Sequence, residues 1–243
     1  MLLDRYNETV DALIHKVRTT QRENIIKAGE MIAETVANGG QVYLSKICHE
    51  IENDLIYRGG GPIFYKHFSY GMNVEKKARI RDRSDLDTSV WGMAQYALKL
   101  SDMRPGDLLM VSSVSGRTVS TVDLAYEAKK FGVKVIAFMS MEYAHAVDPV
   151  HPSGKKLYEM VDLVMDNCAP AAEAMMEVPG IEAHYAAASG ITSDLLLWSM
   201  TTVAIEKLME KGITPGILKS ANFPGGNDYN KKIIEPHYDE FGW

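Results

Sequence analysis

The segment "DLLMVSSVSGRTVSTVDLAYEAKKFGVKVIAFMS", residues 107–140, decides the fold. Its apolar run "LLMVS" predicts a buried strand, and "STVDLAYEAKKFG" predicts a helix that ends at Gly132. The next run, "VKVIAFMS", predicts a second buried strand. A strand, a helix and another strand in this order form a βαβ unit, in which both strands run parallel in one sheet.

The same alternation extends to both sides of this unit. Further strands are predicted at 41–45 and 161–166, and helices at 49–57, 88–100, 188–212 and 229–241, the last broken at Pro236. Residues 62–86 have no clean period and are read as a loop with one short strand. Alternating apolar strands and helices predict an α/β fold with a doubly wound parallel sheet.

The N-terminal region predicts a long amphipathic helix. Apolar residues repeat at three- and four-residue spacing through residues 2–38, and "NGG" at 38–40 ends the pattern. We therefore expect a helical arm, residues 1–38, ahead of one α/β domain with a C-terminal tail, residues 39–243. The apolar face of such an arm must pack against another surface, which either the same domain or a second subunit could provide.

Composition narrows the class of protein. The net charge of −6 and the scattering of the basic residues, which are dense only at residues 76–83, argue against a nucleic-acid partner. Cys48 and Cys168 lack metal-type spacing, so we expect no metal and a reducing compartment. No apolar run approaches the ~20 residues of a membrane span, and no dinucleotide or nucleoside-triphosphate motif is present. We therefore expect a cytoplasmic protein with no cofactor and no membrane partner.

The corner "VSSVSGRTVST", residues 111–121, predicts an anion site. It holds six Ser or Thr hydroxyls at the end of a strand, a Gly that allows a tight turn, and the start of a helix. The backbone N–H groups of a helix start carry partial positive charge, and small hydroxyls add donors without filling the space of an anion. A turn that only caps a helix is the alternative, but one or two hydroxyls are enough for a cap.

The segment "SVSGRT", residues 113–118, resembles the S-x-S-G-x-T loop of SIS (sugar isomerase) domains, which bind phosphosugars. Segments downstream, "HPSGKKLYEMVDLVMDN" and "KSANFPGGNDYN" among them, are similar to stand-alone SIS proteins, and the resemblance runs from about residue 37 to residue 232. It implies a flavodoxin-like sandwich, a homodimer and a phosphorylated sugar ligand. Hydroxyls of Ser113, Ser115 and Thr118 and backbone N–H groups of Val114, Gly116 and Arg117 are implied to hold the phosphate.

The first loop departs from the family pattern. Where relatives read G-T-G-H-S-H, this chain reads "LSKICH", residues 44–49. Leu44 and Lys46 replace the two glycines. Cys48 replaces a Ser that helps to hold the sugar phosphate in relatives, and His49 is kept. A Cβ restricts close approach of the backbone to a ligand, and a thiol is a weaker donor than a hydroxyl. Cys48 and His49 nevertheless remain candidate sugar-phosphate residues, and an inert core role is the alternative for Cys48.

Aldose–ketose isomerisation needs a base beside the carbons that exchange a proton. Asp54 stands where relatives carry a Glu, Glu173 follows a strand end, and His184 precedes the long helix. These three residues are the candidate catalytic groups, with a solvated helix face as the alternative for Asp54 and a structural role for His184. The sequence leaves an isomerase, a non-catalytic phosphosugar sensor and a phosphosugar lyase or etherase open.

Overall fold

The computed structural model of the chain describes residues 1–75, 82, 84–85 and 90–241, and its centre is a parallel five-stranded sheet. The strand order is β2-β1-β3-β4-β5, and every neighbouring pair is parallel. The strands are β1 (Val42–Leu44), β2 (Tyr65–His67), β3 (Leu108–Ser112), β4 (Lys134–Met139) and β5 (Leu163–Asp166). The βαβ unit at residues 107–140 is confirmed as β3, a helix and β4.

Helices cover both faces of this sheet. They are α1 (Leu2–Thr20), α2 (Arg22–Ala37), α3 (Ala94–Leu100), α4 (Val119–Lys130), α5 (Met141–Ala146), α6 (Ser189–Glu210) and α7 (Gly226–Phe241). Side chains of α2 and α6 share one buried cluster with Leu44, Met110 and Phe138. Side chains of α3 and α4 share the other with Tyr43 and Val111. Because successive strand residues face opposite clusters, the sheet is doubly wound, as predicted.

The N-terminal region is two helices rather than one. Gln21, with φ −102° and ψ 1°, separates α1 from α2. Helix α2 packs directly on α6: a Cβ added at Gly29 would lie 2.5 Å from Val203 Cβ. At this crossing glycine is therefore needed for close approach. The division into an arm, residues 1–38, and a domain, residues 39–243, stays a prediction.

Two helix predictions were wrong. Residues 49–57 form only a short 3-10 turn, Ile51–Asp54, because Cys48, His49 and Glu50 have positive φ angles of 32°, 64° and 77°. Residues with left-handed backbone angles cannot be part of a right-handed helix. The predicted break at Pro236 is also absent, since α7 continues through it. Proline removes one backbone donor, and the helix tolerates that loss here.

Other elements escaped the sequence patterns. The antiparallel pair β6 (Ala174–Met176) and β7 (Tyr185–Ala187) and the short helix α5 were not predicted. The helix predicted at 88–100 begins at Ala94 in the structure, and residues 88 and 89 lie outside the described residues. Among the described helices, none combines the length and apolar character that crossing a lipid bilayer requires.

Candidate functional site

The hydroxyl corner lies between the end of β3 and the start of α4, as the sequence predicted. Ser113 follows the strand, and its Oγ lies 2.9 Å from Thr118 Oγ1. The Thr118 N–H donates to the same Ser113 Oγ at 3.3 Å. Thr118 is also the last residue before α4. Two hydroxyls therefore meet at the positive end of a helix dipole, where an anion is stabilised.

Gly116 shapes this corner through its backbone. Its φ is +67°, its N–H donates to Ser113 O at 2.8 Å, and its carbonyl accepts from Leu157 N at 2.8 Å. An added Cβ would lie 2.4 Å from Met139 Cε, and Met139 is fully buried. The conformation therefore favours glycine at this position, and an added Cβ would also displace the end of the buried Met139 side chain.

We expect Gly116→Ala to lower the free energy of unfolding by about 2–4 kcal/mol, from left-handed strain plus crowding. Gly154→Ala is the matched control, because Gly154 has φ +69° but open space around its added Cβ. The control carries the strain alone, so a smaller loss is expected. Urea unfolding of both variants measures the difference, and equal losses would contradict the packing argument.

A cleft of about 420 Å³ opens over the corner at the carboxyl edge of the sheet. Its walls are the hydroxyl corner, the segment after β2, and the first loop, which we define as residues 45–50. It is lined by Ser45, Lys46, Cys48, His49, Phe68, Ser69, Tyr70, Val111, Ser112, Ser113, Val114, Thr118, Ser120, Thr121 and Leu124. Ligands of open α/β sheets bind at this edge.

Five of the predicted binding residues come together in this cleft: Cys48, His49, Ser113, Val114 and Thr118. Ser115, Gly116 and Arg117 form the turn beneath it and, within the described part of the chain, are not among its lining residues. The structure adds the segment Phe68–Tyr70, which the sequence analysis treated as loop. The one feature of the sequence that could have indicated this role is that the segment follows the short strand predicted in residues 62–86.

Cys48 forms part of the cleft floor. Its Sγ lies 3.0 Å from Ser112 Oγ and 3.2 Å from Ser193 Oγ, and Asn167 Nδ2 donates to that Ser193 hydroxyl at 3.3 Å. Burial raises the pKa of the Cys48 thiol, although hydrogen bonds from the serines oppose the rise. The thiol is therefore neutral near pH 7, and it serves as a weak hydrogen-bonding group rather than a nucleophile.

Leu44 and Lys46, which stand where the family pattern has glycines, do not carry the left-handed backbone of this region. Leu44 is fully buried in β1, and Lys46 forms an exposed ion pair with Glu50 at 3.1 Å. Neither has a positive φ angle, whereas Cys48, His49 and Glu50 all do. The left-handed backbone is therefore carried by residues with side chains, an unfavourable conformation that is concentrated at functional sites.

The candidate catalytic residues lie in three different places. Asp54 is half exposed and paired with Arg58. His184 pairs with Glu177 at 3.2 Å and lines a second cleft, between α1 and the β6–β7 pair. Glu173 lies 4.0 Å from His49 Nε2 and accepts a hydrogen bond from Ser189 Oγ. Of the three, Glu173 is therefore the one that contacts a residue of the main cleft.

The environment of Glu173 resembles that of the first loop. Ala172 and Glu173 have positive φ angles of 63° and 75°. The Glu173 side chain is 23 % exposed, and its charge contributes to raising the pKa of the Cys48 thiol. The Glu173 carboxylate therefore lies beside His49 of the cleft, on a backbone that is left-handed at two consecutive residues. In the described residues no group of three or more His, Cys, Asp or Glu side chains could hold a metal ion.

Comparison with known proteins places the chain in a family. The model of the SIS domain family matches residues 5–140, more than half of the chain. The chain therefore belongs to the SIS-domain family. It is 30% identical over 240 residues to a UPF0309 protein of Streptomyces griseus, which covers 98% of this chain and 96% of that protein. A UPF0309 protein of Oceanobacillus iheyensis is 31% identical over 242 residues, with coverages of 97% and 96%.

Solved structures support the fold. Phosphoheptose isomerase GmhA from Neisseria gonorrhoeae superimposes with a TM-score of 0.53 at 13% identity, over 84% of this chain and 97% of that one. A phosphoheptose isomerase from Francisella tularensis gives a TM-score of 0.50 at 15% identity, over 84% and 96%. At these identities the likeness establishes the shared fold: a parallel α/β sheet flanked by helices.

Proposed function

We propose that this protein binds a phosphorylated sugar or amino sugar in the main cleft. The hydroxyl corner takes the phosphate, and the first loop and the segment Phe68–Tyr70 face the sugar. One observation carries the proposal: Ser113 and Thr118 pair their hydroxyls at the start of α4, inside a cleft of about 420 Å³. That volume lies in the usual range for small-molecule sites.

Phosphate binding at this corner follows from its hydrogen-bonding groups. The Ser113 and Thr118 hydroxyls satisfy each other in the free protein, and either can rotate to donate to a phosphate oxygen. Lys46, which pairs with Glu50, places an ammonium group at the cleft. Membership of the SIS family and a fold shared with two phosphoheptose isomerases support the same ligand class. The proposal extends to a cytoplasmic homodimer that needs no cofactor, metal, nucleic acid or membrane.

Isomerisation of the bound sugar is a second candidate function, and Glu173 is the observation that favours it. Its carboxylate lies 4.0 Å from His49 Nε2, and His49 lines the cleft. In an aldose–ketose isomerisation, a base removes the proton beside the carbonyl, and the enediol regains it at the former carbonyl carbon. Glu173 is the proposed base. A non-catalytic phosphosugar sensor and a lyase or etherase remain the alternatives.

A ligand panel tests the binding proposal. We expect several pentose, hexose, heptose and amino-sugar phosphates to raise the melting temperature, and the matching free sugars to leave it unchanged. A ligand at 100 times its Kd stabilises the native state by about 2.7 kcal/mol, which corresponds to a shift of several degrees in a chain of this size. Thermal unfolding monitored by fluorescence gives the measurement. If no phosphosugar shifts the transition, the binding proposal is wrong.

A further inference from the structure

Glu52 is a completely buried carboxylate behind the first loop. Its Oε2 accepts a hydrogen bond from the Ile47 N–H at 2.7 Å. Its Oε1 lies 3.5 Å from His67 Nε2 and, among the described residues, has no hydrogen-bond partner. Removing a carboxylate from water is costly unless its oxygens are satisfied. A buried acid with one unsatisfied oxygen therefore calls for a specific role at this position.

The first loop needs such an anchor. Cys48, His49 and Glu50 are consecutive residues with positive φ angles, and all three carry a Cβ that disfavours this conformation. The exposed Lys46–Glu50 ion pair stabilises the loop little, because solvent screens it. The bond between Glu52 and Ile47 is short and buried, so solvent does not compete with it, and it lies one residue before the left-handed run.

The same carboxylate reaches the second wall of the cleft. His67, next to Glu52 Oε1, is the last residue of β2 and directly precedes the lining segment Phe68–Tyr70. The Phe68 N–H donates to Leu44 O at 2.9 Å, which joins this segment to the residue before the first loop. One side chain therefore contacts the first loop at Ile47 and, at His67, the residue that directly precedes the segment Phe68–Tyr70.

We infer that Glu52 is a positioning residue of the cleft, which holds the first loop in the left-handed conformation that presents Cys48 and His49. The effect of Glu52 on ligand binding rests on the proposed function, whereas its effect on the first loop does not. Loss of Glu52 releases the first loop and leaves the hydroxyl corner intact. Sugar recognition is then lost while phosphate binding persists.

Amide hydrogen exchange in the ligand-free protein tests the inference directly. In the wild type, the Ile47 amide should exchange slowly. In Glu52→Met, which fills the space without a carboxylate acceptor, we expect exchange of the Ile47 amide to be about 10- to 100-fold faster, because this buried donor is left unsatisfied. Glu52→Gln is the matched variant, because its amide oxygen still accepts from Ile47, and it should restore slow exchange.

Fast exchange of Ile47 in the wild type, or unchanged exchange in Glu52→Met, would overturn the inference. The wild-type measurement holds even if a variant fails to fold. It also needs no ligand, so its result is independent of the panel.

The ligand readout separates positioning from general stability. We expect Glu52→Met to bind inorganic phosphate within about twofold of the wild type and hexose 6-phosphates about tenfold more weakly, the equivalent of one lost hydrogen bond to the sugar. Equal losses for both probes would mean that Glu52 only stabilises the fold. If the Ile47 amide exchanges slowly in the wild type and no phosphosugar in the panel binds, the proposed function is wrong. The role of Glu52 in holding the first loop would then still stand.

Discussion

Replacing Ser113 by Ala together with Thr118 by Val is expected to weaken phosphosugar binding by about 10²- to 10⁴-fold. Each hydroxyl that donates to a phosphate contributes about 1.5–3 kcal/mol, and each 1.4 kcal/mol is a factor of ten in Kd. Ser113 is 7% exposed and its Oγ also accepts from the Thr118 N–H, so the pair is held in place before a ligand arrives. Isothermal titration with a phosphosugar from the panel measures the loss.

Two single variants make this result specific to the corner. Ser199→Ala removes a hydroxyl from α6 that donates only to Leu195 O, and it should bind as the wild type does. Ser115→Ala tests the S-x-S-G-x-T pattern. Because the cleft is lined by Ser113 and not by Ser115 in the described structure, we expect a smaller loss than for Ser113→Ala. A larger loss for Ser115→Ala would show that the turn rearranges around the ligand.

The hydroxyl corner was predictable because its determinants are local. A strand, a turn glycine and a helix start follow one another within residues 107–132, and each leaves a pattern in the sequence. The sheet was predictable for the same reason: its long apolar strands, β3 and β4, are buried on both faces. These are also the features that place a candidate anion site at the edge of the sheet.

The first loop was not predictable, because its left-handed backbone lies at residues that carry side chains. Positive φ angles are expected at glycine, and this loop has them at Cys48, His49 and Glu50 instead. The period of "HEIENDLIY" favoured a helix, but Glu52 turns inward to Ile47 and His67. A Glu in a polar stretch is usually exposed, so nothing in the sequence of residues 49–57 indicated that Glu52 is buried.

The approach of Glu173 to His49 was equally hidden. The two residues follow different strands, β1 and β5, that are not neighbours in the sheet. The family pattern made His49 a candidate and the strand end before Glu173 made that residue one, but the distance between them depends on the irregular segment before β6. Asp54 illustrates the opposite case. The family pattern made Asp54 a candidate catalytic residue, whereas in the structure its carboxylate pairs with Arg58.

Glu173→Gln is expected to reduce the incorporation of solvent deuterium into a bound phosphosugar by about 10²- to 10⁴-fold, the usual contribution of a positioned base. The exchange occurs at the carbon beside the carbonyl, and NMR or mass spectrometry of the recovered sugar measures it. The affinity should change little, because Gln can still accept from Ser189 and leaves the hydroxyl corner intact. A lower rate at unchanged affinity is the signature of a group that acts in the transition state.

Asp54→Asn is the matched control for this experiment. It makes the same change from acid to amide, at a side chain that pairs with Arg58 outside the cleft lining of the described residues. If Asp54→Asn abolishes exchange and Glu173→Gln does not, the base lies on the segment after the first loop, and the neighbouring subunit or a ligand-induced movement must complete the site. If the wild type binds a phosphosugar tightly and exchanges no deuterium, the isomerase candidate is wrong. The protein would then be a sensor that binds its ligand without converting it. Its first loop, with the neutral Cys48 thiol where the family pattern has a hydroxyl, is consistent with that role.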